Sequence, residues 1–185
     1  MHNESQEWYT PPALFAALGL AFDLDPCGAP PPYRDFVPAQ TRYTIHDNGL
    51  LQPWKGFIFM NPPYGTLTPR WMRRFLQHGN GIALVFSRTD TRWFHEVARH
   101  GLLCFLRGRL RFRHPDGTEA GTAGAGSLLI ALGGKAERAL VKSGLGLICA
   151  AIDEQAARRA LNGWPGQHRG AVPCAGRIGA CKERV

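Results

Sequence analysis

The chain has 185 residues, enough for one domain with a sizeable core, and its 44% hydrophobic and 19% charged residues exclude wholesale disorder. Its 22 Lys and Arg against 14 Asp and Glu give a formal net charge of +8 and a pI near 9.7, which points to a polyanionic partner, nucleic acid first. The surplus is uneven, with nine Lys or Arg and four Asp or Glu in residues 135–185.

In chain order, the first feature is Glu7-Trp8-Tyr9-Thr10-Pro11-Pro12 followed by Ala13-Leu14-Phe15-Ala16-Ala17-Leu18. Thr10 suits an N-cap and the prolines suit a first turn, so the spacing predicts an amphipathic helix from about Pro11 to Leu18, ending at Gly19. The same hydroxyl and aromatic groups also suit the wall of a cofactor pocket. Phe22-Asp23-Leu24 reads as a short strand entering the turn Asp25-Pro26-Cys27-Gly28-Ala29-Pro30. Ligands of open α/β sheets bind outside the carboxyl ends of the strands, so Asp25 is either the lip of a crevice or the start of an Asp-Pro turn. The G-x-G-x-x-G spacing of a nicotinamide-dinucleotide site is absent. Residues 30–56 read as irregular, with Asp47-Asn48-Gly49 a turn signal.

The organising stretch is Phe57-Ile58-Phe59-Met60-Asn61-Pro62-Pro63-Tyr64-Gly65. Four apolar residues make a buried strand, and two prolines, which cannot donate backbone hydrogen bonds, end it. At its end stand a carboxamide (Asn61), the carbonyl of a residue held extended by the next proline (Pro62), and a ring (Tyr64). These suit a planar base with an exocyclic amine. Its two N–H groups find acceptors in Asn61 Oδ1 and the Pro62 carbonyl, and Tyr64 stacks on its face. A proline-stiffened turn with no ligand is the equally open reading at this point.

Beyond it, Thr68 to Leu76 reads as a capped helix with Trp71 and Phe75 inward and Arg70, Arg73 and Arg74 exposed. Residues Ile82 to Ser87 read as a buried strand, and Asp90 to Ala98 as a second capped helix. This alternation predicts a parallel sheet covered on both faces. After the strand Leu102 to Leu106 comes Arg107-Gly108-Arg109-Leu110-Arg111-Phe112-Arg113-His114. Arginines at every second position of an extended segment share a face, with Leu110 and Phe112 on the other, and offer guanidinium groups to a phosphate backbone. Residues 115–126 read as a flexible glycine-rich loop, and Ser127 to Leu132 as a strand antiparallel to that at 102–106. Leu145 to Ile152 reads as a strand, Glu154 to Leu161 as a helix, and the remainder as a basic tail.

The five cysteines, Cys27, Cys104, Cys149, Cys174 and Cys181, are odd in number and hold no C-x-x-C pair, so neither a disulfide framework nor a zinc ribbon is suggested and a reducing compartment fits. Residues 1–8 lack a basic segment followed by an apolar core, and no run approaches the ~18 apolar residues of a membrane span. The expectation is a soluble cytoplasmic protein with neither metal nor membrane partner.

Taken together and in order, Glu7-Trp8-Tyr9-Thr10-Pro11, Asp23-Leu24-Asp25-Pro26-Cys27, Asp47-x-Gly49-Leu50 with Trp54, Asn61-Pro62-Pro63-Tyr64-Gly65, Arg88-Thr89-Asp90-Thr91-x-Trp93-Phe94 and Arg107-Gly108-Arg109-Leu110-x-Phe112 resemble the phage-type Dam-like DNA N6-adenine methyltransferases. The resemblance spans about residues 7–132. It implies a Rossmann-like S-adenosylmethionine-dependent methyltransferase fold, an α/β architecture whose mainly parallel sheet has one antiparallel strand, and a bacterial host cell. It implies the cofactor against Tyr9, Thr10, Pro11, Asp25, Pro26 and Asp47. It implies the target adenine against Asn61, Pro62, Pro63 and Tyr64; the alternating arginines Arg107, Arg109, Arg111 and Arg113 are the expected contacts to double-stranded DNA. The turn after Asp25-Pro26 reads Cys-Gly-Ala-Pro where larger methyltransferases have Gly-x-Gly. Residues 1–134 are then the catalytic domain and 135–185 a basic extension, partly structured or disordered. Two alternatives stand beside this: a methyltransferase acting on RNA or protein glutamine, and an inactive nucleic-acid-binding protein of the same fold.

Overall fold

The computed structural model describes residues 9–32, 36–114 and 116–152, and the helix and tail expected beyond residue 153 lie outside them. The elements are α1 (Pro12–Leu18), β1 (Phe22–Asp25), β2 (Ala39–Arg42), β3 (Ile58–Met60), α2 (Thr68–His78), β4 (Gly81–Phe86), α3 (Arg92–Ala98), β5 (Leu102–Leu106), β6 (Arg111–Arg113), β7 (Glu119–Thr122), β8 (Ser127–Leu132), α4 (Gly134–Lys142) and β9 (Gly146–Ala150). Seven strands form one sheet in the order β2-β1-β3-β4-β8-β5-β9, while β6 and β7 form a separate hairpin.

Strands β2, β1, β3 and β4 are mutually parallel, and β8 runs antiparallel to both β4 and β5, so β5 points the same way as the first four. Strand β9 pairs antiparallel with β5, which gives two reversed strands where one was expected. The pairing of Ser127–Leu132 against 102–106 is as read from sequence, in the register Leu103↔Ile130 and Cys104↔Leu129. Through α4 and β9 the chain beyond residue 134 joins the same compact unit, which runs to Ala151.

Two apolar layers cover the sheet. On one face Leu14, Phe15 and Leu18 of α1 and Leu140 of α4 pack against Phe22, Phe59, Leu84 and Leu129. On the other, Trp71, Met72 and Phe75 of α2 and Trp93, Phe94 and Val97 of α3 pack against Ile58, Met60, Val85 and Ile130. Burying each such side chain contributes about 1.5–3 kcal/mol before conformational entropy is subtracted. The consecutive apolar runs at β3, β4 and β8 are therefore strands buried on both faces.

Three departures from the sequence expectation have local causes. Residues 39–42, expected irregular, form β2; its Gln40, Thr41 and Arg42 are exposed at the sheet edge, so no apolar pattern marks it. Within the supposed loop 115–126 lies β7, held by Arg111↔Thr122 and Arg113↔Glu119. Arg74, expected exposed, is half-buried, its guanidinium 5.0 Å from the Trp54 ring and donating to the Gln52 carbonyl. Among the described residues no helix is long and apolar enough to cross a membrane.

Candidate active site

The parallel strands deliver their carboxyl ends to one edge of the sheet, and the sequence motifs collect there because each follows a strand. Asp25 ends β1, Asn61 follows β3, Arg88 closely follows β4 and Arg107 follows β5. Pro62 and Pro63 stop β3 after only Ile58–Met60, and a tight turn fixes what comes next. Thr68 Oγ1 accepts from Gly65 N (3.1 Å) and donates to the Pro63 carbonyl (3.2 Å), so this hydroxyl braces the Tyr64 loop. It does not cap α2, whose N-cap Leu67 carries no side-chain bond.

Tyr64 folds back over the strand end. Its hydroxyl donates to Asn61 Oδ1 at 2.9 Å, and its ring lies on Phe86 with centroids 3.9 Å apart and planes 14° apart. Burial, reinforced by Cys27, holds the phenol well above its ordinary 10.0, so it remains a donor throughout the neutral range. Phe86, the last residue of β4, meets the fully buried Phe112 of β6 edge-on at 6.4 Å. Opposite Phe86 in the β4–β8 register stands Ser127, 2% exposed, whose Oγ has no hydrogen-bond partner.

Asn61 and Tyr64, expected as an acceptor and a stacking ring at the strand end, are joined by a direct hydrogen bond. Phe86 and Ser127 escaped that reading, Phe86 because an aromatic closing an apolar strand looks like core, Ser127 because one hydroxyl at a strand start carries no pattern.

The amino-terminal group sits elsewhere on the same edge. Tyr9 and Arg113 exchange both backbone bonds, N to O at 3.1 Å and 2.9 Å, which joins the stretch Tyr9-Thr10-Pro11 to the arginine hairpin. Thr10 is not the cap of α1: Pro11 occupies the N-cap position and makes no side-chain bond, while Thr10 is 3% exposed with an unpartnered Oγ1. A buried hydroxyl without a partner is costly in the free protein and suits a ligand that completes it.

Asp25, 3% exposed, accepts from Cys27 N at 2.9 Å, and burial followed by the Asp25 charge pushes the Cys27 thiol well above its ordinary value. Gly49 packs onto Pro26 so closely that a Cβ there would stand 2.1 Å from the Pro26 carbonyl. Trp54 holds that loop, donating from Nε1 to the Gly49 carbonyl at 2.8 Å. The Asp47 and Asp25 motifs are thereby adjacent. Asp47 itself is exposed, and Thr44 donates to its Oδ2 from N (2.7 Å) and Oγ1 (2.8 Å); these bonds hold its carboxyl below the ordinary range. Asp23 serves the scaffold, accepting from Phe57 N at the entry to β3.

The arginine segment is extended only over Arg111–Arg113, where Phe112 is buried inward; Arg107 and Gly108 lie in a bend, Gly108 at φ 79°, so the continuous extended run expected from Arg107 onward is broken there. Arg107, Arg109 and Arg111 are exposed and Arg113 half-buried. Their charges are partly answered from within. Arg109 Nη1 donates to the Ala123 carbonyl (3.1 Å) and Arg113 Nη1 to that of Gly117 (3.2 Å), and Glu119 pairs with Arg111 (3.5 Å) and Arg113 (3.7 Å). Among the described residues no cluster of three or more His, Cys, Asp or Glu could hold a metal ion.

The donor set at this edge, with unpartnered buried hydroxyls, a buried carboxylate, a carboxamide and a stacked ring, fits a polar cofactor beside a planar base. No curated protein and no solved structure matches the chain. The family model for the DNA N-6-adenine-methyltransferase (Dam) matches residues 1–142, and therefore every described element of the site. The chain belongs to the DNA N-6-adenine-methyltransferase (Dam) family.

Proposed function

We propose that this protein transfers the methyl group of S-adenosylmethionine to the exocyclic amine of an adenine extruded from double-stranded DNA. The observation that carries the reading is the pairing of Asn61 with Tyr64 at the carboxyl end of β3, a carboxamide acceptor and a stacking ring held within one hydrogen bond of each other. We read the mostly parallel sheet, with ligand groups gathered at its carboxyl edge, as the S-adenosylmethionine-dependent methyltransferase fold.

When bound, the cofactor supplies an electrophilic methyl carried on a sulfonium. The residues proposed to hold it are Tyr9, Thr10 and Pro11 from the amino-terminal stretch and Asp25 and Pro26 from the end of β1. Asp47 offers Oδ1, the oxygen that Thr44 leaves uncommitted. An adenine amine is unreachable inside the duplex stack, so the base is turned out into the pocket. Asn61 Oδ1 and the Pro62 carbonyl accept its two N–H groups. This draws the nitrogen lone pair out of conjugation with the ring and aims it at the methyl. Pro63 stiffens that loop, and Tyr64 stacks on the base. Near-attack positioning of this kind supplies up to ~7–11 kcal/mol in well-oriented reactions. Arg107, Arg109, Arg111 and Arg113 hold phosphates, and each contact adds about 0.9 to the slope of log affinity against log salt.

The test incubates purified protein with tritiated S-adenosylmethionine and duplex DNA, beside Asn61→Ala, and digests the product to nucleosides. Label in N6-methyladenosine from wild type and none from the variant is the expected result. No label on any DNA, with no calorimetric binding of the cofactor, overturns the proposal.

A further inference from the structure

The two groups assigned to the base are, in this structure, occupied with each other. Tyr64's hydroxyl takes a lone pair of Asn61 Oδ1, the atom needed by the amine, and one face of its ring is covered by Phe86. The 3.9 Å between the ring centroids admits nothing. Behind Phe86, on the neighbouring strand and in register with it, Ser127 keeps a buried hydroxyl with no partner. A scaffold built only to support Tyr64 has no use for that hydroxyl, since an unsatisfied buried polar group destabilises the fold.

We infer that the slot for the flipped base lies between Tyr64 and Phe86, that it is closed in the free protein by the Tyr64–Asn61 hydrogen bond, and that Ser127 hydrogen-bonds the edge of the base once it is inside. The inference rests on the proposed function and extends it to two residues and a closed resting state. Entry of the base moves the Tyr64 ring off Phe86, which breaks the bond to Asn61 and frees that oxygen for the amine in the same movement. Both faces of the base then meet an aromatic ring. Phe86 belongs to the slot wall, and the buried Phe112, edge-on behind it, keeps its ring upright.

The experiment measures kcat and KM for unmethylated genomic duplex DNA with tritiated S-adenosylmethionine, alongside cofactor affinity by calorimetry and melting curves. Tyr64→Phe keeps the ring and removes the latch, so KM for DNA is expected to fall by about two- to tenfold, the value of one hydrogen bond. Phe86→Leu is expected to raise KM by about tenfold or more through loss of one stacking face, with Phe86→Tyr restoring it. Ser127→Ala is expected to raise KM by about two- to tenfold. Cofactor affinity stays unchanged in all four. If Phe86 merely props Tyr64, removing the Tyr64 hydroxyl loosens the platform and raises KM. That result, or an unaltered KM in Tyr64→Phe or Phe86→Leu, overturns the slot while leaving the methyltransferase reading intact. An unaltered KM in Ser127→Ala overturns the part assigned to that hydroxyl. Absence of transfer by the wild type overturns the function and the slot with it.

Discussion

Thr10→Val separates a residue that serves the fold from one that serves a ligand. Thr10 is 3% exposed and its Oγ1 has no partner, so in the free protein it carries the desolvation cost of a buried hydroxyl, about 1–3 kcal/mol, with no bond in return. Valine has nearly the same shape and replaces the hydroxyl by a methyl. The free variant should therefore be more stable by roughly 1 kcal/mol, which for a chain of this size raises the melting temperature by about 2–4 °C. With S-adenosylmethionine the sign reverses. A lost hydrogen bond, and a ligand group left unsatisfied, weaken binding by about 1–3 kcal/mol, or roughly five- to hundredfold. The assay is a pair of melting curves, without cofactor and at a fixed excess, because ligand stabilisation follows the logarithm of concentration over Kd. The variant should melt above wild type alone and gain less on adding cofactor. A variant that melts lower without cofactor, or binds cofactor as well as wild type, refutes the reasoning.

Three further outcomes follow from the same structure. Glu119 pairs with Arg111 and Arg113 at the surface, where such pairs contribute little stability, so Glu119→Gln should leave the melting curve in place. The same change should tighten DNA binding several-fold at low salt and steepen its salt dependence, read by fluorescence anisotropy across a salt series. Gly49→Ala forces a methyl toward the Pro26 carbonyl, and should cost about 1–3 kcal/mol in urea unfolding and weaken cofactor binding by displacing the Asp47 loop from Pro26. In acid, Asp47 and Asp116 are held below the ordinary 3.8, Asp47 by bonds from the Thr44 backbone and side chain, Asp116 by those from the Thr118 side chain and backbone. Their stabilising contribution is complete above the unfolded value and is lost as pH falls through the lower folded values. Both turns should therefore hold until about pH 4 and loosen below it, and Asp47→Asn should flatten that limb in stability measured against pH.

The strands that sequence reveals are those whose burial is symmetric. Ile58–Met60, Ile82–Phe86 and Ser127–Leu132 read as continuous apolar runs because both faces of the sheet are covered, and the proline pair after Asn61 marks a stop that no tertiary context can override. Strand β2 is hidden because an edge strand with exposed Gln40, Thr41 and Arg42 draws its order from a single neighbour, β1. Hydroxyls beside helix starts bond elsewhere. Thr10 and Thr68 stand where a cap is expected, yet neither caps: Thr68 braces Pro63 and Gly65, and Thr10 Oγ1 has no partner, while Thr91, at the N-cap position of α3, donates to the Arg88 carbonyl at 2.7 Å. A hydroxyl beside a helix start satisfies whichever group is nearest, and only the packed chain decides which that is. Of the candidate site, Asn61 and Tyr64 were legible through chemistry carried within four residues. Phe86 and Ser127 belong to it through register between strands forty residues apart, a relation that local pattern does not encode.

Strand β8 gives the molecule an order of assembly. It lies between β4 and β5, pairs with β4 along its whole length and with β5 from Leu128 to Ala131, and is buried at all six positions, yet it is the second-last of the described strands. Until residues 127–132 leave the ribosome, β4 and β5 each have an apolar edge with no mate, and neither can satisfy the other across the gap. A nascent chain stopped at residue 126 holds the Asn61–Tyr64 stretch already made but lacks the strand on which Phe86 rests. During that interval its bare edges are open to pairing with other chains. The Tyr64–Phe86 pair is consequently set on its supporting strand only once residue 132 has been made.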